Sequence, residues 1–405
     1  MPAAEPAKTR LPRNVVLLGV VSFFADVSSE MAYPFIPIFL TGVLGAPVAV
    51  VGIIEGIAES TASLMKLASG WWSDRIHRRL PLVVTGYGLA AIGKLLLALA
   101  VAWPFVLFAR FVDRFGKGLR GSPRDALIGD SAPPELRGRA FGLHRSMDTA
   151  GAVVGPLLAL AMAGALNHDL RTVFLLAAIP GFLGVLALLL VREPRQIAPA
   201  SVASADADAD ADAERLPIVG PMPKPLLLFI VASLVFALGN SSDVFLLLRA
   251  RDLGMSTTLT VLAYVVYSFV FMLGAYPVGV LSDRIGRRGV FVAGLAAFAV
   301  TYLGFATTTD ATLVWPLFAL YGLYMAATDG IGKALITDIA PVEHRASAIG
   351  LHGMITGVDT LVASVLAGQL WDRIGPAAPF LLGAGSAALA MALLLAARPR
   401  SAASR

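Results

Sequence analysis

GWWSDRIHRR, residues 70–79, occurs twice in this chain in altered form. It returns 209 residues later as GVLSDRIGRR, residues 279–288. A second segment keeps nearly the same offset. DSAPPELR (Asp130–Arg137) returns as DIAPVEHR (Asp338–Arg345), and the match runs on through Gly142-Leu143-His144 and Gly350-Leu351-His352. A weaker echo pairs Ser28-Ser29-Glu30 with Ser241-Ser242-Asp243. Two motifs in the same order at nearly one spacing identify two related halves.

Outward from these polar segments the chain is apolar. Of 405 residues, 57% are hydrophobic and 15% charged, with a mean hydropathy of +0.77. A soluble domain has about 45–50% apolar and about 25% charged residues. Apolar runs of about 20 residues cross about 30 Å of hydrocarbon as helix. They fall at 14–40, 48–73, 80–101, 104–130, 138–164, 171–192, 224–248, 257–282, 289–309, 312–338, 345–371 and 377–397. The expectation is an all-α membrane protein of twelve transmembrane helices in two pseudo-symmetric six-helix bundles. Residues 193–223 contain ADADADADAE between prolines, a run unable to bury a core and expected as a flexible cytoplasmic linker. It separates an N-terminal bundle, 14–192, from a C-terminal bundle, 224–397, with short tails at 1–13 and 398–405. The polar opening MPAAEPAKTRLPRN is followed by no small-residue cleavage site, so the first span is read as retained.

The net charge of +5 and pI near 9.6 invite a nucleic-acid reading. The basic residues, however, cluster in short loops. With the N-terminus inside, nineteen Lys and Arg fall in inner loops and tails and four in outer loops. That bias places both termini in the cytoplasm. The absence of cysteine excludes disulfides, thiolate metal sites and cysteine catalysis. The GKG at 116–118 lacks the frame of a phosphate-binding loop. No enzyme signature, cofactor or resident metal is expected.

Nine cations lie within spans, eight of them in the first half: Lys66, Lys94, Arg110, Arg114, Lys117, Arg120, Arg124 and Arg145. The acids there are Asp26, Glu30, Glu55, Glu59, Asp113, Asp125 and Asp148. Each charge costs about 2.5–3.5 kcal/mol at mid-membrane unless it is paired or wet. Near balance of sign therefore points to a network around a polar cavity. Asp26 and Glu30 share a helix face, as do Glu55 and Glu59. Pro34 and Pro37 interrupt the first span. Burial keeps a proton on a carboxyl and a nearby cation drives it off, so these acids are candidates to carry a coupling proton. The plainer reading pairs them with Lys66, Lys94 or Arg114.

In the fourth span Arg110, Asp113, Arg114, Lys117 and Arg120 form a stripe, with Gly116, Gly118 and Gly121 for close approach and Pro123 as a kink. The stripe either binds an anionic substrate group, through Arg114, Arg120 and Asp113, or balances the acids. In the fifth span His144 and Asp148 are four apart. They could relay protons, ligate a metal, or only pack; Arg145 between them weighs against metal. The second half is lightly charged. Asp329 and Lys333 suggest an internal pair. Asp243, Tyr264 and Tyr267 are substrate-binding candidates, and Tyr276, Tyr321 and Tyr324 could add apolar contacts. The first bundle would handle ions and charge, the second the organic part of the substrate.

Taken together, the chain resembles the major facilitator superfamily of secondary transporters over nearly its whole length. The family's G-x-x-x-D-R-x-G-R-R loop is matched fully at 279–288, whereas the 70–79 copy has His77 where Gly is usual. GAVVGP at 151–156 is similar to the G-x-x-x-G-P element of antiporter members, without the glycines that follow. The resemblance implies inverted three-helix repeats about a central mid-membrane site. It also implies gating by Asp74, Arg75, Arg78 and Asp130 and by Asp283, Arg284, Arg287 and Asp338, with Arg78 against Asp130, Arg287 with Asp338, and Asp74 against the cytoplasmic end of span eleven. Gly151, Gly155 and Pro156 join that gating set. Anchoring among lipid headgroups is the plain alternative for the loop arginines. The two proline-glutamate segments read as turns.

The function expected is proton-coupled export of a small organic molecule by antiport, from a monomer in a bacterial-type inner membrane, with protons, substrate and lipid as partners and no nucleic acid. Rival readings are proton-coupled uptake of an anionic or zwitterionic nutrient, export of a metal ion or metallophore, and a non-transporting receptor or lipid-handling protein. Charge in spans one and four and paired latch loops weigh against the last.

Overall fold

The computed structural model describes residues 11–76, 78–133, 136–165, 169–193, 224–339 and 345–396. Residues 1–10 of the predicted N-terminal tail, the C-terminal tail and all but the start of the linker lie outside the described residues. Among those described there is no strand. Thirteen helices follow in order: α1 (Arg13–Ala32), α2 (Val48–Ile76), α3 (Leu80–Ala98), α4 (Trp103–Ser131), α5 (Arg137–Ala165), α6 (Leu170–Leu188), α7 (Lys224–Ala237), α8 (Val244–Asp252), α9 (Thr257–Ile285), α10 (Arg287–Thr307), α11 (Val314–Ile339), α12 (Arg345–Arg373) and α13 (Ala378–Ala396).

Among the described residues, ten elements are long and apolar enough to cross a membrane. Two more make the expected twelve. Helix α4 is too charged to pass on hydropathy, yet its 29 residues reach about 43 Å. The seventh crossing corrects the sequence reading: the span expected as one helix, 224–248, is broken into α7 and α8. At the break Gly239 lies so close to Gly383 and Ser386 of α13 that a Cβ would overlap them. The freed Ser242 amide donates to Ser364 Oγ at 3.2 Å, which satisfies a backbone group that a membrane interior cannot. The first span is also irregular. Past α1 it continues through tightened and widened turns to Val43, where Pro34 and Pro37 remove amide donors.

Local signals set the helix ends. Asp169 caps α6, accepting from the Arg171 amide at 3.1 Å and the Thr172 hydroxyl at 2.5 Å. The Thr172 hydroxyl, with the Arg171 and Thr172 amides, holds the exposed Asp169 carboxyl below its ordinary range. Ser256 caps α9. That helix stops at Gly286, whose φ of +98° favours glycine.

The chain divides into two compact units. One carries the described residues up to Tyr33 and those from Leu64 to the linker; the other carries Pro34–Ser63 and the described residues after the linker. In the first, α1 packs on α5 and α6, and α3 on α4 and α6, around Leu18, Val21, Val83, Tyr87, Leu127 and Leu188. In the second, α11 packs on α9 and α10, and α13 on α10 and α7, around Phe229, Phe291, Leu295, Ile331 and Leu394. The segment of α2 in this second unit lies on α12: Ser60 Oγ donates to Gly357 O at 2.7 Å, and the Ala49 amide donates to Asp372 Oδ2 at 2.8 Å.

Candidate transport site

Glycine decides how closely α1 and α5 meet. A Cβ on Gly151 would stand 2.7 Å from Phe23 O and 2.8 Å from Asp26 Cβ; one on Gly155 would stand 2.8 Å from Val27 O and 2.9 Å from Glu30 Cβ. The G-x-x-x-G-P glycines therefore seat α5 on the helix turns that carry the two span-one acids. Pro156 follows inside α5. One consequence is that Asp26 of α1 and Asp148 of α5 become neighbours and act electrostatically on each other. Lys117 and Arg120 of α4 act electrostatically on Asp26, and Arg124 and Arg145 on Asp148. Arg145 lies 3.7 Å from Asp148 on its own helix.

One turn before Asp148, His144 is buried, its Nε2 2.6 Å from Ser22 Oγ. Ser22 also meets Tyr87 Oη at 3.1 Å. The Arg120 guanidinium lies over the Tyr87 ring at 3.9 Å. Of the predicted residues, the first unit thus brings together Asp26, His144, Asp148 and Arg120.

A second cluster sits between α3 and α4, which close contact at Gly86, Gly93 and Gly116 draws together. Asp113 is its centre. Lys94 Nζ pairs with it and donates to Ser29 Oγ at 3.0 Å. Arg110 lies 3.3 Å from the same carboxylate and Arg114 at 4.0 Å. Both guanidiniums stand 5.7 Å from the Tyr33 ring. These charges are buried among helices, as the pairing argument required, while Lys117 is exposed.

Glu55, fully buried, and Glu59, half-buried, belong to the second unit. There Tyr321 donates to Asp243 Oδ1 at 2.6 Å. Tyr264, Tyr267, Tyr321 and Tyr324 form a run of rings with successive centroids 5.4, 5.2 and 5.2 Å apart. Tyr276 is 83% exposed and stands outside it.

At the loops, Arg287 donates to Asp338 at 2.8 Å, the pair that the repeat implies. In the first copy the partner of Asp130 is Arg79 rather than Arg78, which is exposed. Arg75 covers the Trp71 ring at 4.0 Å, and Arg284 is exposed. The side chains of Asp74, Asp283 and Lys333 lie outside the described residues.

Ser22, Tyr87 and Tyr33 escaped the sequence reading, because uncharged side chains inside a span carry no cost signature. Lys94 stood out as a partner for acids, but its acid is Asp113. Among the described residues no three His, Asp or Glu side chains converge as metal ligands, which leaves the metal-export reading without a described site.

Two six-span halves with repeated charged loops, and acids paired with bases across helices, define a secondary transporter scaffold. The Major Facilitator Superfamily model matches residues 18–262 and 228–405, and the chain belongs to that family. An MFS-type transporter of Methanocaldococcus jannaschii is 35% identical over 391 residues, covering 95% of each chain. Multidrug resistance protein MdtH of Salmonella arizonae is 31% identical over 163 residues, 40% of this chain and 38% of its own length. The fold is similar to the crystal structure of a peptide transporter, POT, with a TM-score of 0.77 at 16% identity, covering 97% of this chain and 96% of that one. The protein is a multi-pass membrane transporter of small molecules and not an enzyme.

Proposed function

We propose that the chain expels a small organic molecule in exchange for protons, as a monomer in a bacterial-type inner membrane with both termini cytoplasmic. The observation that carries this is the seating of α5 on α1 through Gly151 and Gly155, which brings the Asp26 and Asp148 carboxyls close enough to act on each other. Two neighbouring carboxylates repel each other when both are ionised, so a pair of this kind favours holding one proton. Lys117, Arg120, Arg124 and Arg145 surround the pair. Their approach expels that proton and their withdrawal retains it, which lets a conformational cycle alternate the two conditions. The partial similarity to a multidrug resistance protein and the G-x-x-x-G-P joint support export. Tyr264, Tyr267 and Asp243 are assigned to the organic part of the substrate, and the Arg79–Asp130 and Arg287–Asp338 pairs to gating.

Substrates found by thermal shift on purified protein are to be tested in proteoliposomes under an imposed pH gradient. Asp26→Asn and Asp148→Asn should each abolish proton-driven flux while leaving substrate-induced stabilisation in place. Full proton-driven flux in Asp148→Asn would defeat the assignment. A second reading, uptake of an anionic or zwitterionic nutrient, draws on the three cations gathered at Asp113. Substrate moving with protons rather than against them would select it.

A further inference from the structure

The line His144–Ser22–Tyr87 crosses three helices, α5, α1 and α3, and ends beneath Arg120 of α4. His144, Ser22, Tyr87 and Arg120 are each no more than 5% exposed, so bulk water does not compete for their hydrogen bonds. Arg120 Nε has no hydrogen-bond partner among the described residues. Its guanidinium is held by the face of Tyr87.

A serine hydroxyl has one proton. Placed between two partners, it donates to one and accepts from the other, so the line has a direction. With His144 neutral, Ser22 O–H donates to Nε2, the ring keeps its proton on Nδ1, and Tyr87 O–H donates to Ser22. With one proton added at Nε2, the direction reverses. Nε2–H then donates to Ser22 Oγ, Ser22 O–H turns to Tyr87 Oη, and Tyr87 O–H is released from Ser22. Only hydroxyl rotations accompany the added proton. The charged groups acting on His144 are Arg124 and Asp125 of α4 and Asp148 and Arg145 of its own helix; α1 contributes Asp26 through Asp148, and α3 presents the Tyr87 phenol. Two cations and two anions act directly. The bond at Nε2 is the local feature that distinguishes the ring nitrogens.

We propose that Ser22 and Tyr87 are positioning residues for His144: they fix its neutral tautomer, give its protonated form an acceptor, and transmit its proton uptake as a turned hydroxyl beneath Arg120. The inference deepens the proton-exchange reading, on which its physiological use rests. The claim about the tautomer stands or falls separately.

The test uses the full chain in nanodiscs with isotope-labelled histidine, the His144 signal being assigned among five histidines by loss in His144→Gln. Wild type should show the neutral ring protonated on Nδ1. Ser22→Ala should shift it toward the Nε2–H form and lower the titration midpoint by about one pH unit, tenfold in proton affinity. The fall follows because a charge-assisted bond lost by imidazolium outweighs the neutral bond lost by imidazole. Ser22→Thr retains the hydroxyl and should restore both signals. Tyr87→Phe should lower the midpoint by less. A wild-type tautomer and midpoint in Ser22→Ala, or in Tyr87→Phe where Ser22→Ala fails to fold, overturns the proposal. Failure of a folded Ser22→Thr to restore them overturns it too. Proton-driven flux in wild type is measured alongside: shifted tautomers without such flux leave the inference intact and defeat the coupling reading.

Discussion

Asp113 shows how a residue's worth depends on what surrounds it. Its carboxylate meets Lys94, Arg110 and Arg114 in a buried joint. Removing one member of a buried ion pair typically costs about 3–5 kcal/mol, because the remaining charge is left desolvated. Asp113→Asn should therefore lower the Tm of the purified protein sharply. Asp113→Asn with Lys94→Gln should recover part of that loss, since one stranded cation is removed with its acid. A double variant no more stable than Asp113→Asn would show that Lys94 draws no stability from this carboxylate. The sequence exposed these charges plainly but not their partners. Helical spacing favours pairs four apart on one helix, such as His144 with Asp148. The structure adds partners from other helices: Asp148 reaches Asp26, and Lys94 reaches Asp113. The hydroxyls of Ser22 and Tyr87 were invisible for a physical reason. A neutral hydroxyl sits inside a span at little cost, and only a neighbouring helix reveals its use.

At the scale of helices, the joints are set by glycine, and not every glycine matters. Gly151 and Gly155 lie against the backbone of α1, with the prospective Cβ within 2.7 and 2.8 Å of carbonyl oxygens. Backbone cannot yield as a side-chain tip does, so α1 and α5 must part. Gly155→Ala should destabilise by about 1–3 kcal/mol, the usual cost of overpacking, and should weaken proton-driven flux by separating Asp26 from Asp148. Gly142, on the same helix, has nothing within 4 Å of its prospective Cβ. Gly142→Ala should be neutral or gain up to about 1 kcal/mol from helix propensity. Thermal unfolding of the two variants side by side checks the contrast; equal destabilisation would mean the α1–α5 joint is not close-packed. Apolar run length made these spans legible, and prolines made the irregular end of the first span legible. The break between α7 and α8 was also written there, in Gly239-Asn240-Ser241-Ser242-Asp243, a cluster of turn formers, but the apolar residues on both sides joined it into one expected span; Ser364 and the close approach of α13 hold the broken backbone.

Over the whole chain, the charge asymmetry makes a claim about orientation that contacts within a helix unit cannot make. Nineteen Lys and Arg against four predict that the 70–79 and 279–288 loops face the cytoplasm. The absence of native cysteine makes the claim testable without removing anything. Gly289 and Thr309 are exposed and flank or open the two ends of α10. If α10 crosses the membrane, a membrane-impermeant maleimide added to intact cells must treat them oppositely. Thr309→Cys should label at once, and Gly289→Cys only after permeabilisation. The reverse pattern would invert the chain and overrule the positive-inside argument. Labelling of both from outside would deny that α10 spans at all, and would reach past orientation to the twelve-crossing count, because α10 belongs to the second half of the repeat.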